Sequence, residues 1–132
     1  MKRISLLFFL VIAGNTLAQQ KLLIPMDVNS QTDHLRAYGI AYRHLLGGKE
    51  LDWLLNYRGG SFLFEYSSEL MGECTQKGVS FELLSGTQAA QVYAEVQDEQ
   101  NNMDVVRLEK VAKIAVYVPP NTLPWDDAVQ LA

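Results

Sequence analysis

Arg58-Gly59-Gly60-Ser61 is the tetrapeptide of this 132-residue chain with the clearest capacity to bind a small anion. Arginine can hold a carboxylate or a phosphate through two parallel hydrogen bonds, and two glycines allow backbone N–H groups to approach a negative charge. An extended Phe-Leu-Phe run follows, rather than the helix that a phosphate loop needs. The alternative interpretation is a glycine turn between two extended segments.

Asp27 is the other residue that we predict at this site, because it ends a short apolar run that is typical of a strand. In an open parallel sheet, ligands bind beyond the carboxyl ends of the strands. If the strand at 51–57 runs parallel to the one at 21–27, Asp27 and the tetrapeptide lie at the same edge. The sequence therefore predicts a crevice for a small anionic ligand, with a carboxylate favoured, formed by Asp27, Arg58, Gly59, Gly60 and Ser61.

The other reactive side chains form no catalytic arrangement that the sequence reveals. His34 and His44 fall on one predicted helix about 15 Å apart, which is too far for a shared metal ion. Cys74 is the single cysteine, and we expect it to be buried, with Glu73 raising the pKa of its thiol. No nucleophile elbow of the G-x-S-x-G type is present. We predict no catalytic residue, no metal ion and no cofactor.

Extended and helical segments alternate along the chain and would position these residues. Strands are predicted at 21–27, 51–57, 62–66, 79–84 and 113–118, and helices at 30–46, 67–77, 87–96 and from 122 onward. This alternation is typical of α/β domains. We therefore predict a three-layer α/β fold with a mostly parallel sheet, either flavodoxin-like or amidotransferase-like. One stripe of the first helix should pack on the core: Leu35, Tyr38, Ala41, Tyr42, Leu45 and Leu46.

The N-terminus has the features of a secretory signal peptide. Two basic residues at 2 and 3 precede a mostly apolar run at 4–13, and Thr16-Leu17-Ala18 offers a cleavage site before Gln19. The apolar run is about half as long as a membrane-spanning helix needs to be. We therefore expect an exported protein that is periplasmic or extracellular after cleavage.

Four stretches of the chain have different predicted roles. Residues 1–18 form the signal peptide, and 19–97 form an α/β module. Residues 98–112 are polar at their start and are predicted to be a linker or a connecting strand. Residues 113–132 begin a further α/β unit, and we expect this unit to be cut off because its last helix has no stop signal.

The charge balance restricts the partners of this chain. The formal net charge is −4 and the pI is about 5.1. Nucleic-acid binders normally have a basic surface stripe, and anionic membranes repel acidic proteins. We therefore expect no nucleic-acid partner and no membrane association after cleavage, while the remainder of a longer chain is the expected protein partner.

Several runs of this sequence resemble the N-terminal part of an exported bacterial family labelled asparagine synthetase B. They lie at 22–27, 31–42, 52–62, 102–110 and 124–128. The resemblance implies a protein several times longer than 132 residues. Asparagine synthetases use a cysteine exposed by removal of the first methionine and an S-G-G-x-D-S loop for ATP. Residue 2 is Lys here, and Arg58-Gly59-Gly60-Ser61-Phe62 lacks the leading Ser and the Asp, so no catalytic residue is carried over.

Two functions remain open at the level of sequence. The first is a non-catalytic α/β module of a larger exported protein, with a binding or structural role. The second is a fragment of an amidotransferase-like or hydrolase-like enzyme whose nucleophile and base lie beyond Ala132.

Overall fold

The computed structural model describes residues 19–113, so the predicted signal peptide at 1–18 and the elements predicted after 113 lie outside it. Within this range, a short 3-10 turn at Tyr57–Gly59 connects two of the strands. The strands and helices, in chain order, are β1 (Lys21–Ile24), α1 (His34–Leu46), β2 (Leu51–Leu55), β3 (Ser61–Glu65), α2 (Ser68–Lys77), β4 (Glu82–Leu84), α3 (Gly86–Val96) and β5 (Asp104–Leu108).

The sheet is antiparallel throughout, with the strand order β4-β1-β3-β2-β5. The prediction of a mostly parallel sheet, flavodoxin-like or amidotransferase-like, is therefore wrong. The reason is the hairpin formed by β2 and β3, whose tight turn requires antiparallel pairing. It places β3 between β1 and β2, so the helical connection through α1 joins two strands that are not neighbours.

The strand directions still bring the predicted site residues to one edge. Since β3 is antiparallel to both β1 and β2, these two strands point the same way and their carboxyl ends lie at the same edge of the sheet. The first six elements follow the β-α-β-β-α-β order of ferredoxin-like folds. α3 and β5 extend that unit, and β5 pairs with β2.

Helices cover both faces of the sheet. α1 and α2 pack on one face, where Ile40 of α1 and Cys74 of α2 meet Phe64 of β3 in one buried cluster. α3 packs on the other face, where Ala89 and Val96 meet central strand residues. The second cluster contains Leu23, Leu54, Leu63 and Leu84 in addition. Burial of these apolar side chains is the main favourable term in the stability of the fold.

The orientation of α1 differs from the predicted one. Its buried residues are Ala37, Ile40 and Ala41, whereas Leu35 is 85% exposed and Leu46 is 62% exposed. The small alanines allow the helix to approach the sheet closely. As a result, the aromatic part of the predicted stripe, Tyr38 and Tyr42, lies at the border of the core.

Local capping explains where the helices begin. The Asp33 side chain accepts from the backbone N–H of Arg36, so α1 begins after Asp33, later than the predicted start at residue 30. Ser67 caps α2, because its side chain accepts from the backbone N–H of Leu70. Ser85 and Gln88 form a capping box at the start of α3.

Gly59 provides a test of the close approach between the hairpin turn and the end of β1. A Cβ atom at Gly59 would lie 2.5 Å from the backbone oxygen of Met26, and the φ of Gly59 is +80°. At Gly48, φ is +72° but a Cβ atom would meet no atom within 4 Å. Gly48→Ala should therefore cost about 1 kcal/mol for its φ alone, and Gly59→Ala at least about 3 kcal/mol because backbone must also move.

Urea unfolding of the two variants measures this difference. Equal losses of unfolding free energy in G59A and G48A would show that the approach of Met26 to the turn does not constrain the fold.

Candidate functional site

The structure brings Asp27 and Arg58 together at the edge where β1 and β2 end. Arg58 Nε donates to Asp27 Oδ2 across 3.3 Å, and Arg58 Nη2 donates to Ser30 Oγ across 3.0 Å. Glu82 of β4 holds the same guanidinium from the other side, with Oε2 3.0 Å from Nη1 and Oε1 2.8 Å from Nη2. We refer to Asp27, Ser30, Arg58 and Glu82 as the Arg58 cluster.

Within the Arg58 cluster, the electrostatics favour the ionised forms of Asp27 and Arg58. Hydrogen bonding from Ser30 is the main cause that lowers the pKa of Asp27, and Arg58 lowers it further. The hydrogen bond to Glu82 is the main cause that raises the pKa of Arg58. Two carboxylates surround one guanidinium, so the cluster has an excess negative charge. An additional anion would have to compete with both carboxylates.

The other predicted site residues form the hairpin turn. The carbonyl of Arg58, a residue with φ of 44°, accepts from the backbone N–H of Met26 across 3.1 Å. Ser61 is buried, and its Oγ donates to the carbonyls of Tyr57 and Arg58. The carbonyl of Gly60 accepts from the indole N–H of Trp53 across 3.1 Å. These contacts match the alternative interpretation, a glycine turn, and binding of a ligand by Gly59, Gly60 and Ser61 stays a prediction.

A second polar cluster lies on the α3 face, around Asp52 of β2. Asp52 is buried, and its Oδ1 accepts from Arg107 Nη1 across 2.8 Å. The hydroxyl of Tyr93 donates to Asp52 Oδ2, and Arg107 also pairs with Glu50 across 3.0 Å. Burial is the main cause that raises the pKa of Tyr93, and the bond to Asp52 adds to it. The raised pKa keeps Tyr93 in its protonated, donating form.

Asp52 is not among the predicted site residues, although a signal for it is present in the sequence. An acidic residue inside the apolar run Leu51–Leu55 has to be paired when the strand is central. Its partners come from β5 and α3, which are distant in the chain. Pattern reasoning within one segment therefore could not find them.

An apolar groove lies on the face of the sheet that carries α1, between that helix and the β2-β5 side of the sheet. It is an open cavity of about 340 Å³. We call it the aromatic groove, and its lining residues are Tyr38, Ala41, Tyr42, Leu45, Trp53, Phe62 and Leu108. Tyr38 is 49% exposed and Tyr42 is 55% exposed. Large aromatic side chains that remain this exposed side by side are typical of interaction surfaces.

The aromatic groove has a defined internal geometry. Phe62 forms its floor, with the Tyr38 ring edge-on at 5.5 Å and the Trp53 ring stacked at 6.4 Å between centroids. The indole of Trp53 is oriented by its hydrogen bond to Gly60 in the hairpin turn. The glycine turn at 58–61 thus positions one wall of the aromatic groove.

Cys74 is buried in the core between α2 and the sheet, as predicted. Burial, with a smaller contribution from Glu73, raises the pKa of its thiol to about 11. A buried, protonated thiol is not a nucleophile at neutral pH.

The two histidines of α1 lie in different surroundings. Burial lowers the pKa of His44, whose ring meets Phe64 edge-on at 5.0 Å between centroids. His34 Nε2 lies 3.0 Å from the carbonyl oxygen of Met26.

The buried polar side chains of residues 19–113 are satisfied internally. Every buried side-chain nitrogen and oxygen atom in this range has a hydrogen-bond partner. In the same range, no group of three or more His, Cys, Asp or Glu side chains could hold a metal ion. None of the helices that the structure describes is long and apolar enough to cross a membrane.

Comparisons with known proteins add no functional assignment. No protein-family model matches this chain. No curated protein and no solved structure matches it either.

The pH dependence of stability tests the role of Asp27. Its pKa is lowered in the fold from the ordinary value of 3.8. The ionised carboxylate therefore stabilises the fold fully above that value, and the contribution is lost as the pH falls through the lowered pKa. We expect the difference in unfolding free energy between the native chain and D27N to shrink between about pH 5 and about pH 2.

Asp98→Asn is the matched control, because Asp98 lies in an exposed turn outside the Arg58 cluster. A difference between the native chain and D27N that stays constant over this pH range would contradict the assignment of Asp27 to a stabilising ion cluster.

Proposed function

We propose that residues 19–113 form a non-catalytic binding module of an exported protein, and that the aromatic groove receives an apolar polypeptide segment. The observation that carries the proposal is the aromatic groove itself. Tyr38, Tyr42 and Trp53 leave about 340 Å³ open next to the β2-β5 side of the sheet. All seven lining residues are aliphatic or aromatic, which favours an apolar occupant over a charged one.

The edge of the sheet beside the aromatic groove supports a polypeptide as the occupant. β5 is the last strand on this side of the described sheet, and its backbone groups that point away from β2 lack a strand partner there. Val105, Val106 and Leu108 of β5 are all half-buried. Exposed apolar edge strands are usually covered, and another backbone can satisfy such an edge by adding a strand.

The polar clusters support a structural role for the charged residues. Arg58 is held by two carboxylates, and Asp52 is held by Arg107 and Tyr93. Groups that are paired in this way stabilise the fold and are not free to bind or activate a substrate. Cys74 is buried with a raised thiol pKa. No residue of the range 19–113 favours the alternative, a fragment of an amidotransferase-like or hydrolase-like enzyme.

Export is the part of the proposal that rests on the sequence. Lys2 and Arg3, the apolar run at 4–13 and Thr16-Leu17-Ala18 are the features that support it. An excess of acidic over basic residues is compatible with a secreted, soluble binding module.

Photo-crosslinking tests the aromatic groove as a binding surface. The photoreactive residue p-benzoylphenylalanine replaces Tyr42 in the groove, and in a control it replaces Leu35, which lies on the same helix outside the groove. We expect illumination of the purified exported chain to give an adduct from position 42 with a defined apolar peptide, identified by mass spectrometry. Position 35 should give no such adduct. Absence of a peptide adduct at 42, or equal labelling from both positions, would contradict the proposed function.

A further inference from the structure

We propose that Arg58 is a positioning residue for binding at the aromatic groove: its guanidinium, held by Asp27 and Glu82, fixes the hairpin turn that orients Trp53. The inference rests on the proposed function, because it names what sets the shape of the groove that receives the polypeptide. All the residues that line the groove are aliphatic or aromatic. Binding there nevertheless depends on a cluster of charges at the edge of the sheet.

The backbone of Arg58 has a conformation that few residues other than glycine adopt. Its φ is 44° and its ψ is 51°, which lies in the left-handed region. A turn that only reverses the chain can use glycine there without a steric penalty, as it does at Gly59 and Gly60. Strained residues persist where the surrounding structure holds them, and they are concentrated at functional sites. What the Arg58 side chain contacts therefore explains why an arginine occupies this position.

The side chain of Arg58 connects the hairpin turn to two other parts of the sheet edge. Its Nε and Nη2 atoms donate to Asp27 and Ser30, which follow β1. Its Nη1 atom donates to Glu82 of β4. Charge-assisted hydrogen bonds are among the stronger ones in proteins, and only 30% of the Arg58 side chain is exposed to competing water. The turn therefore cannot shift relative to β1 and β4 without breaking several of these bonds.

Gly60 connects the restrained turn to the aromatic groove. Its carbonyl oxygen accepts from the indole N–H of Trp53 across 3.1 Å, and a Cβ atom at Gly60 would lie 3.3 Å from the same indole nitrogen. The indole stacks on Phe62 within the groove. A rotation of the backbone at Gly60 would remove this acceptor and release the ring that forms one wall of the groove. Only two residues along the chain separate Arg58 from the carbonyl that orients this wall.

Hydrogen exchange of the Trp53 indole N–H, measured by NMR in a Trp125→Phe background, is the first readout. Arg58→Gly removes the guanidinium, and glycine adopts a φ of 44° without strain, so the chain still folds. We expect R58G to accelerate indole exchange at least about tenfold, and to leave the backbone amides of Leu23 and Leu63 in the central strands unchanged. Unchanged indole exchange, or equal acceleration of the core amides, would overturn the inference.

Glu82→Gln tests the same connection from a distant strand. It removes one charge from the Arg58 cluster without altering the turn, and β4 is separated from the strand of Trp53 by two other strands. We expect E82Q to accelerate indole exchange at least about twofold, because one partner of the guanidinium is weakened. Glu69→Gln is the matched control, since Glu69 pairs with Lys49 away from the cluster, and it should have no effect. Equal rates in E82Q and E69Q would contradict the inference.

The yield of the photo-crosslinked adduct connects Arg58 to binding. With p-benzoylphenylalanine in place of Tyr42, we expect R58G to lower the yield of the peptide adduct at least about threefold. In a Trp53→Phe background, which lacks the indole N–H, R58G should cause no further loss, because both changes act through one contact. An unchanged yield in R58G overturns the inference and leaves the binding module in place. Absence of any peptide adduct in the chain that retains Arg58 overturns both.

Discussion

The backbone of Met26 contacts the hairpin turn, and this contact sets the geometry of the residues around it. Met26 donates its N–H to the carbonyl of Arg58, and Gly59 permits the approach because it has no side chain. The end of β1 is thereby fixed against the connection between β2 and β3. Asp27, one residue further, meets the guanidinium of Arg58, and the carbonyl of Gly60 orients the indole of Trp53. One backbone constraint therefore supports both the Arg58 cluster and the aromatic groove.

Charged and apolar surfaces have separate roles in this molecule. Several partners hold the guanidinium of Arg58, and several others hold the carboxylate of Asp52. Groups that are paired within the fold in this way are less available to a ligand. Tyr38 and Tyr42 of α1 remain exposed instead, and Trp53 of β2 is half-buried. Because burial of apolar surface is the main driving force of association, we place the proposed binding at the aromatic groove.

Much of the local structure could be predicted from the sequence, whereas the strand pairing could not. Helix ends at Ser67 and Gly78 follow from capping residues that act within one turn. The alternation of strands and helices does not show which strands are neighbours in the sheet. The glycine turn at 58–61 was the feature that indicated an antiparallel hairpin. Asp27 and Arg58 meet because β1 and β2 point the same way. This shared direction was predicted, and it is present although the two strands pair with β3 and not with each other. The apolar stripe on α1 could be recognised from the sequence. Which of its side chains are exposed could not, because that depends on how distant elements pack against the helix.

Hydrogen exchange at β5 tests most directly whether a polypeptide covers this side of the sheet. In an edge strand, alternate backbone N–H groups point away from the neighbouring strand and exchange with solvent, whereas a strand paired on both sides protects all of them. If a polypeptide covers this side of the sheet, we expect slow exchange at every amide of Asp104–Leu108 in the full chain. Slow and fast amides in alternation along this strand would show that its outer edge is open, and would contradict the proposal that a polypeptide covers it.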